Sequence, residues 1–295
     1  MISSETVRQL IENQFPQLSP VTVRMEGEGW DNTVYRVNET YIFRFPRRKV
    51  AVDLITVENA LLPAIYRLLP IPVPNPVYVG VSSERYPFPF SGYRGLDGVP
   101  PYVVDLTDEQ RAKSAHLLGR FLRALHQIPA DQAVTMGATD SDTIGRMDLE
   151  KRVPMFHTKL AQAKQFGLID DEAAMIQAIE GLPTDITARP VLVHGDLNFR
   201  NFLVGVDGVV SGIIDWGDVH IGQAAMDLTI AFSFLPHSAR DAFRNAYGHI
   251  SDVDWKLARF RSLYSNLVIL LYAFDIGDER QLGEAKKALQ LTLDD

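Results

Sequence analysis

"LVHGDLNFRNFLV" spans residues 192–204, and "GIIDWGD" spans residues 212–218. Each stretch sets an acid at the end of an apolar run: Asp196 after Leu192 and Val193, Asp215 after Ile213 and Ile214. Asn201 stands five residues beyond Asp196, and Asp215 nineteen. Polar groups in loops that close short apolar strands are well placed for chemistry. Phosphoryl transfer from a nucleotide needs a base to accept the acceptor's hydroxyl proton. It also needs hard oxygen ligands for the divalent cation that neutralises the phosphates. Asp196 suits the first task. Asp215 suits the second, with the carboxamide oxygen of Asn201 as a ligand that adds no further negative charge. Helix capping would explain each of the three residues alone, but not their separations.

The protein-kinase signature has the same grammar, H-R-D with an Asn five residues after its Asp, then D-F-G. Here it reads His194-Gly195-Asp196, Asn201 and Asp215-Trp216-Gly217. A nucleotide site should then lie upstream. Gly27-Glu28-Gly29 falls between two strand candidates, where a glycine loop can approach phosphates closely. Asn32 occupies the place of a third glycine. Arg44, between Phe43 and Phe45, stands where a kinase has its phosphate-binding Lys, and Glu58 in the next helix is its natural ion-pair partner. Arg keeps the charge but presents a fork, so its contacts differ from those of Lys.

The 295 residues are 46% apolar, ample for two lobes, and the net charge of −8 argues against affinity for nucleic acid or an anionic membrane. There is no cysteine, so thiolate metal sites and disulfides are excluded. The N-terminus lacks a signal-peptide pattern. The apolar-leaning stretch from Leu263 to Ile276 is too short and too polar to span a bilayer. A cytoplasmic, soluble monomer is expected.

Along the chain, Ser4 reads as the N-cap of a first helix, and Val21–Met25, Thr33–Val37 and Tyr41–Phe45 read as strands, the last two joined by a turn at Asn38-Glu39. A helix follows over about Leu54–Leu68. "LPIPVPNPVYVG" (69–80) is an extended path into an edge strand, Tyr86–Tyr93 a further strand, and "SGYRGLDGVP" (91–100) a hinge. Beyond it, helices are expected over Glu109–Gln127 and Asp170–Glu180 and from Ala225 to the end, with strands at Val191–Val193, Phe202–Val206 and Val210–Ile214. The pattern is α+β: an antiparallel-sheet lobe over residues 1–95 that binds nucleotide, and a mostly helical lobe over 96–295 that carries the catalytic loop and the acceptor site.

The two opening motifs, with "YIFRFPRR" (41–48), "LPIPVPNPVYVG", "FSGYRGLDGVP" (90–100) and "FLRALHQI" (121–128), resemble the aminoglycoside phosphotransferases, a kinase-like family of antibiotic phosphotransferases. The likeness is greatest to the aminoglycoside 2''-phosphotransferases and the macrolide 2'-phosphotransferases, and it covers essentially the whole chain. It implies a bilobal protein-kinase-like fold, ATP or GTP as co-substrate and Mg²⁺ as cofactor. Asp196 would be the catalytic base, Asn201 and Asp215 the metal ligands, and Arg44, oriented by Glu58, a phosphate contact. Tyr93, Arg94 and Leu96 would form the hinge that meets the nucleotide base, with an aromatic near Tyr93 bearing on ATP against GTP. Asp227 would brace the catalytic loop. Gln223-Ala224 replaces the D-P pair of many members and touches no chemical role. The acceptor implied is an aminoglycoside, with a macrolide or a choline-like metabolite as the alternative; a non-catalytic nucleotide-binding module is the remaining rival. An aminoglycoside site should present carboxylates to match ammonium groups, whereas a macrolide site should be apolar.

Plainer roles compete at several positions. His194 is read as a loop brace and Trp216 as a packed aromatic. Glu58 could be a solvated helix residue, and Gly27 and Gly29 an ordinary turn. Trp30 and Asp31 are either loop packing or substrate contacts. Asp140 to Asp142, Asp170, Asp171 and Asp218 are solvated loop acids, a subset of which could draw a polyamine toward the cleft.

Overall fold

In the computed structural model, residues 2–183, 186 and 189–294 are described. Helix α1 (Ser4–Gln14) starts one residue earlier than expected: Ser3 is its cap, accepting from the Thr6 amide. Its Val7, Leu10 and Ile11 pack on an antiparallel sheet of order β1-β2-β3-β5-β4. The strands are β1 (Val23–Glu28), β2 (Asn32–Val37), β3 (Tyr41–Pro46), β4 (Tyr78–Gly80) and β5 (Phe90–Arg94). Asn38 and Glu39 both take positive φ, the two-residue turn that suits the right-handed twist of β2 and β3. The core of this sheet is aromatic, with Phe45 stacked on Phe90 at 4.6 Å.

Helix α2 (Lys49–Ile65) joins β3 to the proline-rich stretch, which runs without regular structure to β4 at the sheet edge, as its prolines dictate. On the way, the Pro72 carbonyl accepts from the Ile213 amide of the second half. Leu61, Leu62 and Ile65 of α2 belong to the hydrophobic cluster of that half, not to the cluster around the sheet.

The expected helix over 109–127 is two helices, α3 (Asp108–Ala112) and α4 (Ala115–His126). At the break lies buried Ser114, whose amide bonds the Arg111 carbonyl in a tighter turn and whose hydroxyl accepts from the Val210 amide at 3.0 Å. Short α5 (Ala130–Thr135) precedes α6 (Leu149–Gln165), which was not anticipated because Pro154 sits in its interior. The helix expected over 170–180 is the shorter α7 (Glu172–Gln177), capped by Asp171.

Two small antiparallel ribbons follow. Strand β6 (Val191–Val193) pairs with β9 (His220–Gly222), which was not anticipated, and β7 (Phe202–Val204) pairs with β8 (Val210–Ile213). The helices α8 (Ala225–Leu228), α9 (Ile230–Ser233), α10 (Arg240–Tyr247), α11 (Asp252–Asp275) and α12 (Glu279–Leu293) complete the chain. Among the described residues, no helix is long and apolar enough to cross a membrane. The fold is thus an antiparallel five-stranded sheet followed by a helical body, and the ribbons set the key loops where the two meet.

Candidate active site

The loop after β6 carries His194, Gly195 and Asp196. Gly195 has φ +86°, and a Cβ there would run into the Asp218 carbonyl oxygen, so only glycine fits. Buried Asp227 of α8 clamps this turn. It accepts from the His194 amide at 2.7 Å and the Gly195 amide at 3.0 Å, and it faces His126 Nε2 at 3.2 Å. Burial alone would raise the Asp227 carboxyl. The bond and charge of His126, with His194 and the backbone amides, hold it below its ordinary value.

His194 has no exposed surface. Its Nδ1 accepts weakly from the Asp196 amide at 3.4 Å, so the proton lies on Nε2, which donates to the Ile214 carbonyl at 3.0 Å. The ring meets the edge of Trp216, also fully buried, at 4.8 Å. His194 therefore ties the Asp196 loop to the residue before Asp215, the bracing role expected of it.

Asp196 is half-buried. The Asn201 carboxamide donates to its carbonyl at 2.8 Å and to its Oδ2 at 2.9 Å. Burial pushes the Asp196 carboxyl up to about 6, with the charges of Asp218 and Asp215 adding to the rise and Arg261 and His194 opposing it. A carboxylate with that value is ionised at neutral pH yet basic enough to take a proton.

Asp215 adopts φ 62° and keeps its side chain 54% exposed, while its Oδ1 accepts from Arg44 at 2.9 Å. The other arm of Arg44 meets Glu58, which is 2% exposed. Burial opposes the charge on Arg44, but Glu58 and Asp215 outweigh it and raise its pKa. Burial pushes the Glu58 carboxyl up against the pull of Arg44. The line Glu58–Arg44–Asp215 thus runs from α2 through the sheet into the helical body. A solvated Glu58 does not fit this burial.

Tyr93 lies beside that line: it is buried, and its phenol is pushed up to about 12 by burial, with Arg44 opposing and Glu58 and Asp215 adding. Arg94, the next residue on β5, is exposed on the opposite face. Leu96 lies against Gly212 of β8. Gly27 lies within β1, paired with Val34, rather than in a loop. Gly29 is in the turn, where its amide donates to the Asn32 carbonyl at 2.9 Å. Both glycines have ordinary φ and face open space where a side chain would go, save the Asn32 carbonyl at 3.7 Å from Gly29. The side chain of Asn32 is buried at the start of β2, its Oδ1 without a partner.

The turn is pinned by Arg47 to Glu28 and by Arg48 to Asp31, each at 2.7 Å, which makes Asp31 a loop-packing residue. Trp30 is 66% exposed and reaches Tyr272 of α11, with ring centroids 6.3 Å apart.

Beside Asp196 lies a cavity of about 320 Å³. Arg146, Arg152, Arg200 and Arg261 line it with Asp196 and Asp218, whereas Arg44, Asn201 and Asp215 do not. None of these arginines was singled out from the sequence. A signal existed for Arg261, which shares a helical face with the buried residues Leu257, Ala258 and Tyr264, an unusual place for a charge. The loop acid Asp218 is engaged by Arg146, as is Asp142.

A five-stranded antiparallel sheet over a helical body, with Asp196, Asn201 and Asp215 meeting between them, defines a kinase-like phosphotransferase fold. The family model described as "Phosphotransferase enzyme family" (APH) matches residues 23–263, and the chain belongs to that family. Among solved structures, it is similar to the GDP and kanamycin complex of APH(2")-IIia, with TM-score 0.67 and 24% identity over 96% of this chain and 97% of that one. It is also similar to the macrolide 2'-phosphotransferase MphH from Brachybacterium faecium, with TM-score 0.62 and 21% identity over 97% of each. A third is the streptomycin–ATP–APH(2")-IIa ternary complex, with TM-score 0.61 and 18% identity over 100% of this chain and 99% of that one. At these identities the likeness establishes the fold.

Proposed function

We propose that this chain transfers the γ-phosphate of ATP or GTP to a hydroxyl group of a small molecule. The observation that carries this reading is the placement of Asp196, Asn201 and Asp215 on joined loops: the Asn201 carboxamide bonds Asp196, and the amide of Ile214, the residue before Asp215, donates to the Asn201 carbonyl at 2.9 Å. Family membership and the nucleotide-bound relatives support it.

Asp196 Oδ2 takes the proton as the acceptor oxygen bonds to the γ-phosphorus and the bridging oxygen leaves with the nucleoside diphosphate. Asn201 fixes the carboxylate for that transfer. Arg44, with one arm on Glu58 and one on Asp215, keeps further N–H donors for phosphate oxygens. Among the described residues, no cluster of three or more acids or histidines forms a metal cage. One carboxylate (Asp215) and one carboxamide oxygen (Asn201) instead fit Mg²⁺, which takes its other ligands from phosphates and water. Bound there, Mg²⁺ would neutralise the charge of the transferring phosphate. Positioning and electrostatics supply the catalysis.

The relatives crystallised with kanamycin or streptomycin favour an aminoglycoside acceptor, the class expected from the sequence, with a macrolide or a choline-like metabolite behind it. The carboxylate lining that an aminoglycoside calls for is sparse: besides Asp196 the cavity holds Asp218, which Arg146 already engages. Transfer of labelled γ-phosphate to a panel of acceptors tests the reaction. Asp196→Ala should bind Mg-nucleotide almost as the parent does and transfer nothing. Transfer at the parental rate by that variant would remove Asp196 as the base, and nucleotide binding without transfer to any acceptor would favour the non-catalytic module.

A further inference from the structure

The cavity beside Asp196 is lined by four arginines and two aspartates. Arg146 is paired with Asp142 and Asp218. The other three make no close ion pair among the described residues, although the charge of Asp196 acts on Arg261 and that of Asp278 on Arg200. Arg152 is buried and donates only to neutral groups: the Ile144 and Gly145 carbonyls, each at 2.8 Å, the Tyr264 hydroxyl at 3.2 Å and the Met155 sulfur. Arg261 lies over the Tyr264 ring at 5.6 Å, and Arg200 over the Tyr272 ring at 5.2 Å. Burial depresses the Arg261 pKa, the neighbouring charges of Arg152 and Arg146 add to this, and the charge of Asp196 offsets it only in part. Such a charge is offset when a ligand oxyanion arrives, and the guanidinium fork matches a carboxylate or phosphate in two parallel bonds.

The two aspartates cannot serve a polycation, since Asp196 must stay free to take a proton and Asp218 is held by Arg146. The apolar lining is Ile144, Val268, Ile269 and the Tyr264 ring, and the cavity of about 320 Å³ is small for a macrolide. The volume lies at the lower end of ligand pockets, which run from about 300 to 1,000 Å³.

We infer that the acceptor is a compact hydroxylated molecule bearing a carboxylate or a phosphate, which Arg261 and Arg200 hold while Asp196 meets its hydroxyl. The inference rests on the phosphotransferase reading of this cleft and replaces the aminoglycoside as its acceptor. The new bond joins the hydroxyl oxygen to the γ-phosphorus, and the bond from that phosphorus to the β–γ bridging oxygen breaks. The hydroxyl proton goes to Asp196. The anchoring oxyanion keeps its charge throughout.

Four ligands differing in one group test it: glucose, glucosamine, glucuronate and glucose 6-phosphate. Each is titrated calorimetrically into the full chain loaded with Mg²⁺ and a non-hydrolysable ATP or GTP analogue, with kanamycin as a fifth ligand. Glucuronate or glucose 6-phosphate should bind at least about tenfold more tightly than glucose, the gain of one charge-assisted contact, and glucosamine should bind weakest. Whichever of the two leads identifies the oxyanion. Arg261→Gln should erase the advantage and Arg261→Lys restore part of it. Arg200→Gln, at a half-buried position in the loop after β6, is a second variant and should weaken the acids in the same way.

Tightest binding by glucosamine or kanamycin, equal or undetectable binding of all four sugars, or an order unchanged in both glutamine variants would overturn the inference. Binding of the nucleotide analogue, measured before each titration, separates the two readings. Its absence would count against the phosphotransferase itself, whereas its presence without discrimination among the sugars would count against the anionic acceptor alone.

Discussion

Replacing Asp196 by Asn should abolish transfer and at the same time stabilise the nucleotide-free protein above neutral pH. The carboxyl is raised from 3.8 to about 6, chiefly by burial, so the folded state holds its ionised form at a cost. Because the folded pKa is the higher one, its contribution to stability is complete below about pH 4, declines as pH rises from about 4 to 6, and is gone above that. A rise of about two units corresponds to about 3 kcal/mol. Asn has the same shape, can still accept from the Asn201 carboxamide, and carries no charge to desolvate. The variant should therefore gain up to about 3 kcal/mol at pH 8 and about half of that at pH 5.

For a chain of 295 residues, unfolding entropy of about 2 cal/mol/K per residue turns 3 kcal/mol into about 5 °C in Tm. Loss of the base should lower kcat by about 10²–10⁴. Thermal denaturation of parent and variant at the two pH values, without nucleotide or magnesium, reads the first effect, and labelled transfer reads the second. A variant no more stable than the parent at pH 8, or one that still turns over normally, would refute this reasoning.

Asp218→Asn removes a charge that raises the Asp196 pKa, so the acid limb of kcat/KM against pH, expected near 6, should move to lower pH; an unmoved limb would mean another group titrates there. Gly195→Ala should lose activity and lower Tm, because a side chain at φ +86° must push back the Asp218 carbonyl. Glu58→Ala leaves Arg44 with Asp215 alone and should cost about 3–5 kcal/mol in urea unfolding, the penalty for stripping one partner from a buried ion pair. A loss near zero would show that Asp215 and solvent suffice for Arg44.

The fold was legible where residue patterns act locally. Prolines in 69–80 dictated an extended edge segment, alternation marked the strands, and Asn38-Glu39 marked their turn. What escaped were features set by distant partners. The division between α3 and α4 falls at Ser114, whose hydroxyl serves the Val210 amide ninety-six residues away in sequence. Helix α6 tolerates Pro154, and its Leu160 is buried in the core of the second half. Strand β9 is fixed by its pairing with β6 and by the Thr139 carbonyl, which accepts from the Ile221 amide at 2.8 Å.

In the site, Asp196, Asn201 and Asp215 were readable because their spacing is short and their chemistry is shared. Arg44 and Glu58 were readable as a pair because fourteen residues carry the chain from a strand into the next helix. The arginines of the acceptor cavity were not. They come from the loop before α6, from α6 and α11 and from the loop after β6, and no local pattern announces that four such side chains line one cavity with Asp196 and Asp218. The net charge of −8 says nothing of charge at that one place.

The central claim is that Asp215 and Asn201 serve a magnesium-bound triphosphate while Asp196 serves the acceptor. Titration of a fluorescent ATP or GTP analogue with and without magnesium tests it directly. Magnesium should tighten binding to the parent and to Asp196→Asn alike, by about tenfold or more, and should give little or no gain in Asp215→Asn. An equal magnesium benefit in Asp215→Asn, or its loss in Asp196→Asn, would contradict the account.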